Sequence, residues 1–128
     1  MSRFLLICLG GAAGTGARYL LSAWALEFFG PVFPFGTLAV NLIGSFLLSV
    51  VMYAGIDAAV LSPTMRLALG TGVMGGFTTY STFNFETMKY VQDGAWGSAA
   101  LYVTVTVVAC FLAGIAGWAT ARSVLGTY

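Results

Sequence analysis

Gly75-Gly76-Phe77-Thr78-Thr79-Tyr80-Ser81-Thr82-Phe83-Asn84-Phe85 is the stretch on which the fold turns. It opens on two adjacent glycines. Five consecutive hydroxyl side chains, Thr78 to Thr82, then stand among aromatic rings. Adjacent glycines are poor helix formers, and Ser and Thr side chains compete for helical backbone groups. The flanks, Met65 to Met74 and Glu86 to Tyr90, read as helical. The stretch therefore reads as a break inside a helix. In lipid, irregular backbone survives only where it is buried in protein or lines a wet cavity. Its freed carbonyls and dipole ends can hold ions.

Composition places that break in a membrane. Of 128 residues, 59% are hydrophobic and 7% charged, and the mean hydropathy is +0.94. A soluble domain carries about 25% charged residues, so the chain reads as one membrane-embedded unit without a soluble domain. A net charge of +1 with no basic run leaves no footprint for nucleic acid. Histidine is absent, which removes the commonest general base and transition-metal ligand. There is no Ser-His-Asp set and no P-loop, so an enzyme is not expected. The four carboxylates fall near expected helix ends, whereas a proton-driven exporter wants one at the centre of a span. Cys8 and Cys110 sit in apolar runs and read as buried packing residues. The run from Phe4 to Leu26 is too long for a signal-peptide core.

A span needs about 20 apolar residues. Working outward from the break, the chain offers four, over residues 3–25, 35–56, 64–90 with the break at 75–82, and 96–121. Gly10 and Gly14, and again Gly72 and Gly76, stand in GxxxG spacing and read as close-packing faces. In the second span Thr37, Asn41, Ser45 and Ser49 recur every four residues; in the fourth, Ser98, Tyr102, Thr106 and Cys110 do the same. Each set makes one polar stripe. Asn41 in hydrocarbon needs partners, either across helices or in a permeating ion. Arg18 either reaches the headgroups or lines a wet vestibule that attracts anions. Ser62-Pro63 can start the third span, Arg66 anchors it, and Glu86 can pair with Lys89. Four spans put both termini on one side, with Arg3, Arg66 and Arg122 there against Lys89 and Arg18 opposite. That bias is weak under the positive-inside rule. Insertion both ways up, and with it an antiparallel homodimer, is the natural consequence.

An amide, hydroxyls and the positive edges of rings such as Phe77, Phe83 and Phe85 can all meet an anion. None binds as hard as a fixed cation, and conduction needs that compromise. A small hard anion such as fluoride suits a narrow row of donors. The residues point to a small-ion pore or binding site and do not name the ion.

The run from Gly75 to Phe83, with Gly36-Thr37-Leu38-Ala39-Val40-Asn41 upstream and Gly10 to Arg18 before that, resembles the Fluc family of fluoride channels over essentially the whole chain. The resemblance implies an all-α membrane protein of four transmembrane helices, the third broken near mid-membrane. It implies an antiparallel, dual-topology homodimer in the bacterial inner membrane that lets fluoride out passively. A structural sodium ion would lie at the dimer interface on the backbone carbonyls of Gly75 and Thr78. Asn41 would be an amide donor to fluoride, and Tyr80 and Phe83 the pore rings. Ser81, Thr37, Tyr102 and Thr106 would be polar pore groups, and Arg18 the vestibule arginine. The family motif has phenylalanine where this chain has Tyr80. Two other readings remain open: a small multidrug-type exporter, for which Met1 to Ala25 lacks the carboxylate, and a structural membrane subunit, which leaves the polar stripes without a purpose.

Overall fold

The computed structural model describes Ser2 to Gly126. Its elements are α1 (Ser2–Phe29), α2 (Phe35–Met52), α3 (Pro63–Arg66), α4 (Gly75–Phe77), α5 (Tyr80–Gln92) and α6 (Trp96–Leu125). Two stretches of wide π turns extend them, Tyr53–Asp57 after α2 and Leu67–Met74 between α3 and α4. Every regular element among the described residues is helical.

Three helices, Ser2–Phe29, Phe35–Asp57 and Trp96–Leu125, are long and apolar enough to cross a membrane. At 1.5 Å per residue the longest reaches about 45 Å, more than a hydrocarbon core needs, so it can tilt or project. The molecule is a multi-pass membrane protein. Its large apolar side chains point outward, as Phe4, Leu9, Phe111 and Val124 do. The interior is filled by small residues and a few large ones, chiefly Val40, Tyr102 and Phe83.

Two contacts organise the bundle. α2 lies along α6, and α1 lies along the Leu67–Met74 segment and α4. The second contact is backbone against backbone, as the paired GxxxG spacings predict. A Cβ added at Gly10 would lie 3.2 Å from Gly72 Cα, and one at Gly72 would lie 3.3 Å from Gly10 Cα. One at Gly14 would run into the Val73 carbonyl, and one at Gly76 into the Gly11 carbonyl.

Ser62 starts α3 as expected: its hydroxyl accepts from Met65 N–H at 3.2 Å, and Pro63 takes the first helical position. The break is narrower than the expected 75–82. Gly75–Phe77 is helical, and helix resumes at Tyr80. Only Thr78 and Thr79 are extended, with ψ of 157° and 109°. The stretch stays helical because Gly76 is packed flat against Gly11 of α1. The hydroxyls after Thr79 stay helical because Thr79 caps them.

The cysteines depart from the packing role expected of them. Cys8 is exposed and Cys110 half-buried, both as free thiols.

Candidate functional site

The break is held by three side chains from outside it. On one side, Asn41 of α2 makes a two-way clamp with Thr79. Its Oδ1 accepts from Thr79 N–H at 2.7 Å, and its Nδ2 donates to the Thr79 carbonyl at 3.0 Å. On the other side, Arg18 Nε of α1 donates to the Gly76 carbonyl at 3.1 Å, and Thr15 Oγ1 reaches the same oxygen at 3.4 Å. Thr79 Oγ1 accepts from Thr82 N–H at 3.2 Å and so caps α5. Thr78 closes the preceding turn, with both its N–H and its hydroxyl donating to the Met74 carbonyl at 2.9 Å.

The carbonyls of Gly75 through Thr78 leave the helical ladder here, and Arg18 and Thr15 claim that of Gly76. In an α-helix the carbonyl of Gly75 would accept from Thr79 N–H, and that of Thr78 from Thr82 N–H. Both N–H groups are turned to side chains instead, Asn41 Oδ1 and Thr79 Oγ1. Gly75 and Thr78, with Phe77 between them, are therefore positions where the break offers carbonyl oxygens outside the ladder. Such neutral oxygen donors suit a hard cation. No group of three or more His, Cys, Asp or Glu among the described residues competes for one.

The polar stripes meet across the α2–α6 contact. Asn41, Ser45, Thr106 and Cys110 line one cavity of about 310 Å³, together with Thr78, Tyr80 and Phe83. Thr106 is 5% exposed, and its hydroxyl has no partner among the described residues. Phe83 is buried, whereas Tyr80 is 78% exposed; their ring centres are 5.7 Å apart. Phe83 also meets Tyr102 edge-on at 5.1 Å.

Tyr102 is fully buried, packed against both Phe83, which lines this cavity, and Phe33, which lines a second. The second, of about 520 Å³, is a mouth lined by Thr37, Glu86, Lys89, Tyr90, Asp93 and the α1–α2 loop. Phe33 of that loop packs edge-on against the other side of Tyr102, at 5.3 Å. Between mouth and inner cavity sits Glu86. One carboxylate oxygen accepts from Thr37 Oγ1 at 2.8 Å, the other from Tyr102 Oη at 2.7 Å.

Glu86 is the residue that sequence reasoning misread. It was expected to pair with Lys89 at a helix end; it faces inward instead and joins three elements. Its position three residues after Phe83 puts both on one face of α5, which was the available signal.

Of the residues singled out from sequence, Asn41, Tyr80, Phe83 and Thr106 converge on the inner cavity, with Thr37 and Tyr102 at its junction with the mouth. Ser81 is exposed and lies off the cavity, its Oγ 3.4 Å from Thr79 Oγ1. Arg18 lies apart from them, half-buried against the α1 side of the break.

The CrcB family, described as "CrcB-like protein, Camphor Resistance (CrcB)", has a profile that matches residues 5–118. The chain belongs to the CrcB family. It is 54% identical over 126 residues to a protein of Anaeromyxobacter sp. (strain K) named "Fluoride-specific ion channel FluC"; the match covers 98% of this chain and 100% of that one. A protein of the same name from Sorangium cellulosum (strain So ce56) is 51% identical over 125 residues, covering 98% of each chain. One from Geobacter sulfurreducens is 44% identical over 122 residues, covering 95% of this chain and 98% of the other. The family is one of ion channels, not enzymes.

Proposed function

We propose that the chain is one subunit of a passive, fluoride-selective channel. The observation that carries this reading is the inner cavity, where the Asn41 amide, the Ser45 and partnerless Thr106 hydroxyls and the Phe83 ring come together in a space of about 310 Å³. Every one of those groups is neutral. A hydroxyl without a partner in an apolar surrounding gains on meeting a small anion, and no fixed cation holds that anion back. Fluoride is the anion favoured, in line with the names of the relatives.

In this reading Asn41, Tyr80, Phe83, Ser81, Thr37, Tyr102 and Thr106 line the fluoride path, and Arg18 draws anions toward it. The interrupted segment from Pro63 to Gln92 makes the fourth crossing. Two chains insert in opposite senses and pair in the bacterial inner membrane. The outward-facing Tyr80 and Gly75 support the pairing, since a second copy would cover them. The released carbonyls of Gly75 and Thr78 from both chains then hold one structural sodium ion, which supplies positive charge between the chains.

The test is fluoride efflux from liposomes containing the purified protein, with valinomycin to dissipate charge. Fast efflux without a proton gradient and without chloride flux is the expected result. Proton-coupled transport of organic cations would overturn it in favour of an exporter, and no transport at all in favour of a structural subunit.

Tyr80 gives a second prediction. Its hydroxyl can donate to a passing anion or to a neighbouring acceptor, and either slows transit. Tyr80→Phe is expected to raise efflux severalfold, the size that one hydrogen bond of about 1 kcal/mol provides, with selectivity unchanged. Efflux from the Tyr80 protein equal to or above that of the variant would refute this.

A further inference from the structure

Thr79 has no part in the pathway above, yet both its backbone N–H and its hydroxyl act on the break. The N–H is the natural partner of the Gly75 carbonyl and is diverted to Asn41 Oδ1 at 2.7 Å. The hydroxyl takes Thr82 N–H, the natural partner of the Thr78 carbonyl, at 3.2 Å. It in turn donates to Thr82 Oγ1 at 2.9 Å, which leaves its lone pairs aimed at that N–H. Of the two carbonyls between them, that of Gly76 is claimed by Arg18 and Thr15. One residue thus holds the N–H partners of two of the break's oxygens. Thr79 is itself buried, so water is not available to do the same work.

We propose that Thr79, braced by Asn41, is the positioning residue of the cation site: it releases the Gly75 and Thr78 carbonyls by occupying the N–H groups that would otherwise bind them. This rests on the sodium reading above. It gives Asn41 a task separate from any contact with fluoride. Without the hydroxyl, Thr82 N–H turns back to the Thr78 carbonyl and α5 gains a residue at its start. The site then loses an oxygen from each chain.

The experiment is thermal unfolding of the full-length protein in detergent across a sodium series, with N-methylglucamine holding ionic strength constant. A ligand that binds only the folded state raises the midpoint as its concentration passes its dissociation constant. For the unaltered chain the midpoint rises with sodium. Thr79→Ser, which keeps the hydroxyl, is expected to begin its rise at the same sodium concentration. Thr79→Val is expected to need at least about tenfold more. The midpoint without sodium reads any general loss of structure separately. Thr79→Ala, with less apolar bulk, serves where the valine variant does not fold.

A hydroxyl-free variant whose midpoint begins to rise at the same sodium concentration as that of the unaltered chain overturns the proposal. An unaltered chain that ignores sodium but still passes fluoride in liposomes overturns the sodium reading and this proposal with it, leaving the channel standing. A sodium response that follows the hydroxyl in a protein without fluoride flux keeps the proposal and removes the channel.

Discussion

Asn41→Leu is expected to lower the thermal midpoint more than any other single change in α2 and to take fluoride efflux down to the liposome leak. Leucine has the same branched skeleton of heavy atoms as asparagine and none of its polar atoms. The substitution strips Thr79 of an acceptor at 2.7 Å and a donor at 3.0 Å in one step. Each buried backbone group left without a partner costs about 1–3 kcal/mol. The pair therefore costs about 2–6 kcal/mol, offset in part where Thr79 N–H turns back to Gly75. Asn41→Asp keeps an acceptor for Thr79 N–H and loses only the donor. It should retain more of the midpoint than leucine does. An Asn41→Leu protein with an unchanged midpoint and unchanged flux would show that the clamp contributes nothing.

The second large effect is steric. Gly14→Ala places a methyl group on the Val73 carbonyl, and within 2.9 Å of Phe77 N. Both neighbours are backbone and cannot swing aside. Relief requires α1 to move off the Leu67–Met74 segment, which also pulls Arg18 and Thr15 from the Gly76 carbonyl. Overpacking of this kind costs about 1–3 kcal/mol even when the obstacle is a side chain, and here it displaces a helix. The internal control is two residues away. A Cβ at Gly16 meets nothing within 4 Å. Gly16→Ala is therefore expected to be neutral or to stabilise α1 by up to about 1 kcal/mol through helix propensity. Thermal midpoints of the two variants in the same detergent decide the matter; equal midpoints would refute the packing account.

The features legible from sequence were those with a short period. The interruption announced itself through its glycines and hydroxyls, the stripes through four-residue spacing, and the α1 contact through paired GxxxG. What stayed hidden were bonds that join residues far apart in the chain. Nothing near Glu86 shows that Thr37, 49 residues earlier, and Tyr102, 16 residues later, converge on it. Arg18 looked like a side chain seeking water because its acceptor, Gly76, lies 58 residues away. The extent of the break was misjudged for a related reason. Propensity disfavours Gly75–Phe77 as helix, but contact with α1 overrides propensity. The π turns over Leu67–Met74 left no mark in composition at all.

Those wide turns carry a consequence for how the chain can change in length. Each π turn holds a residue that an ordinary helix would not, and one residue is worth about 100° of rotation. Deleting a single residue between Leu67 and Met74 would tighten the coil without harming its hydropathy. Everything downstream would keep its facing, Gly76 against Gly11 and Phe83 against Tyr102, because the residue removed is the one the wide turn had absorbed. The segment between Arg66 and Thr79 can therefore shed a residue, whereas an ordinary helix such as α1 that lost one would turn all that follows by about 100°.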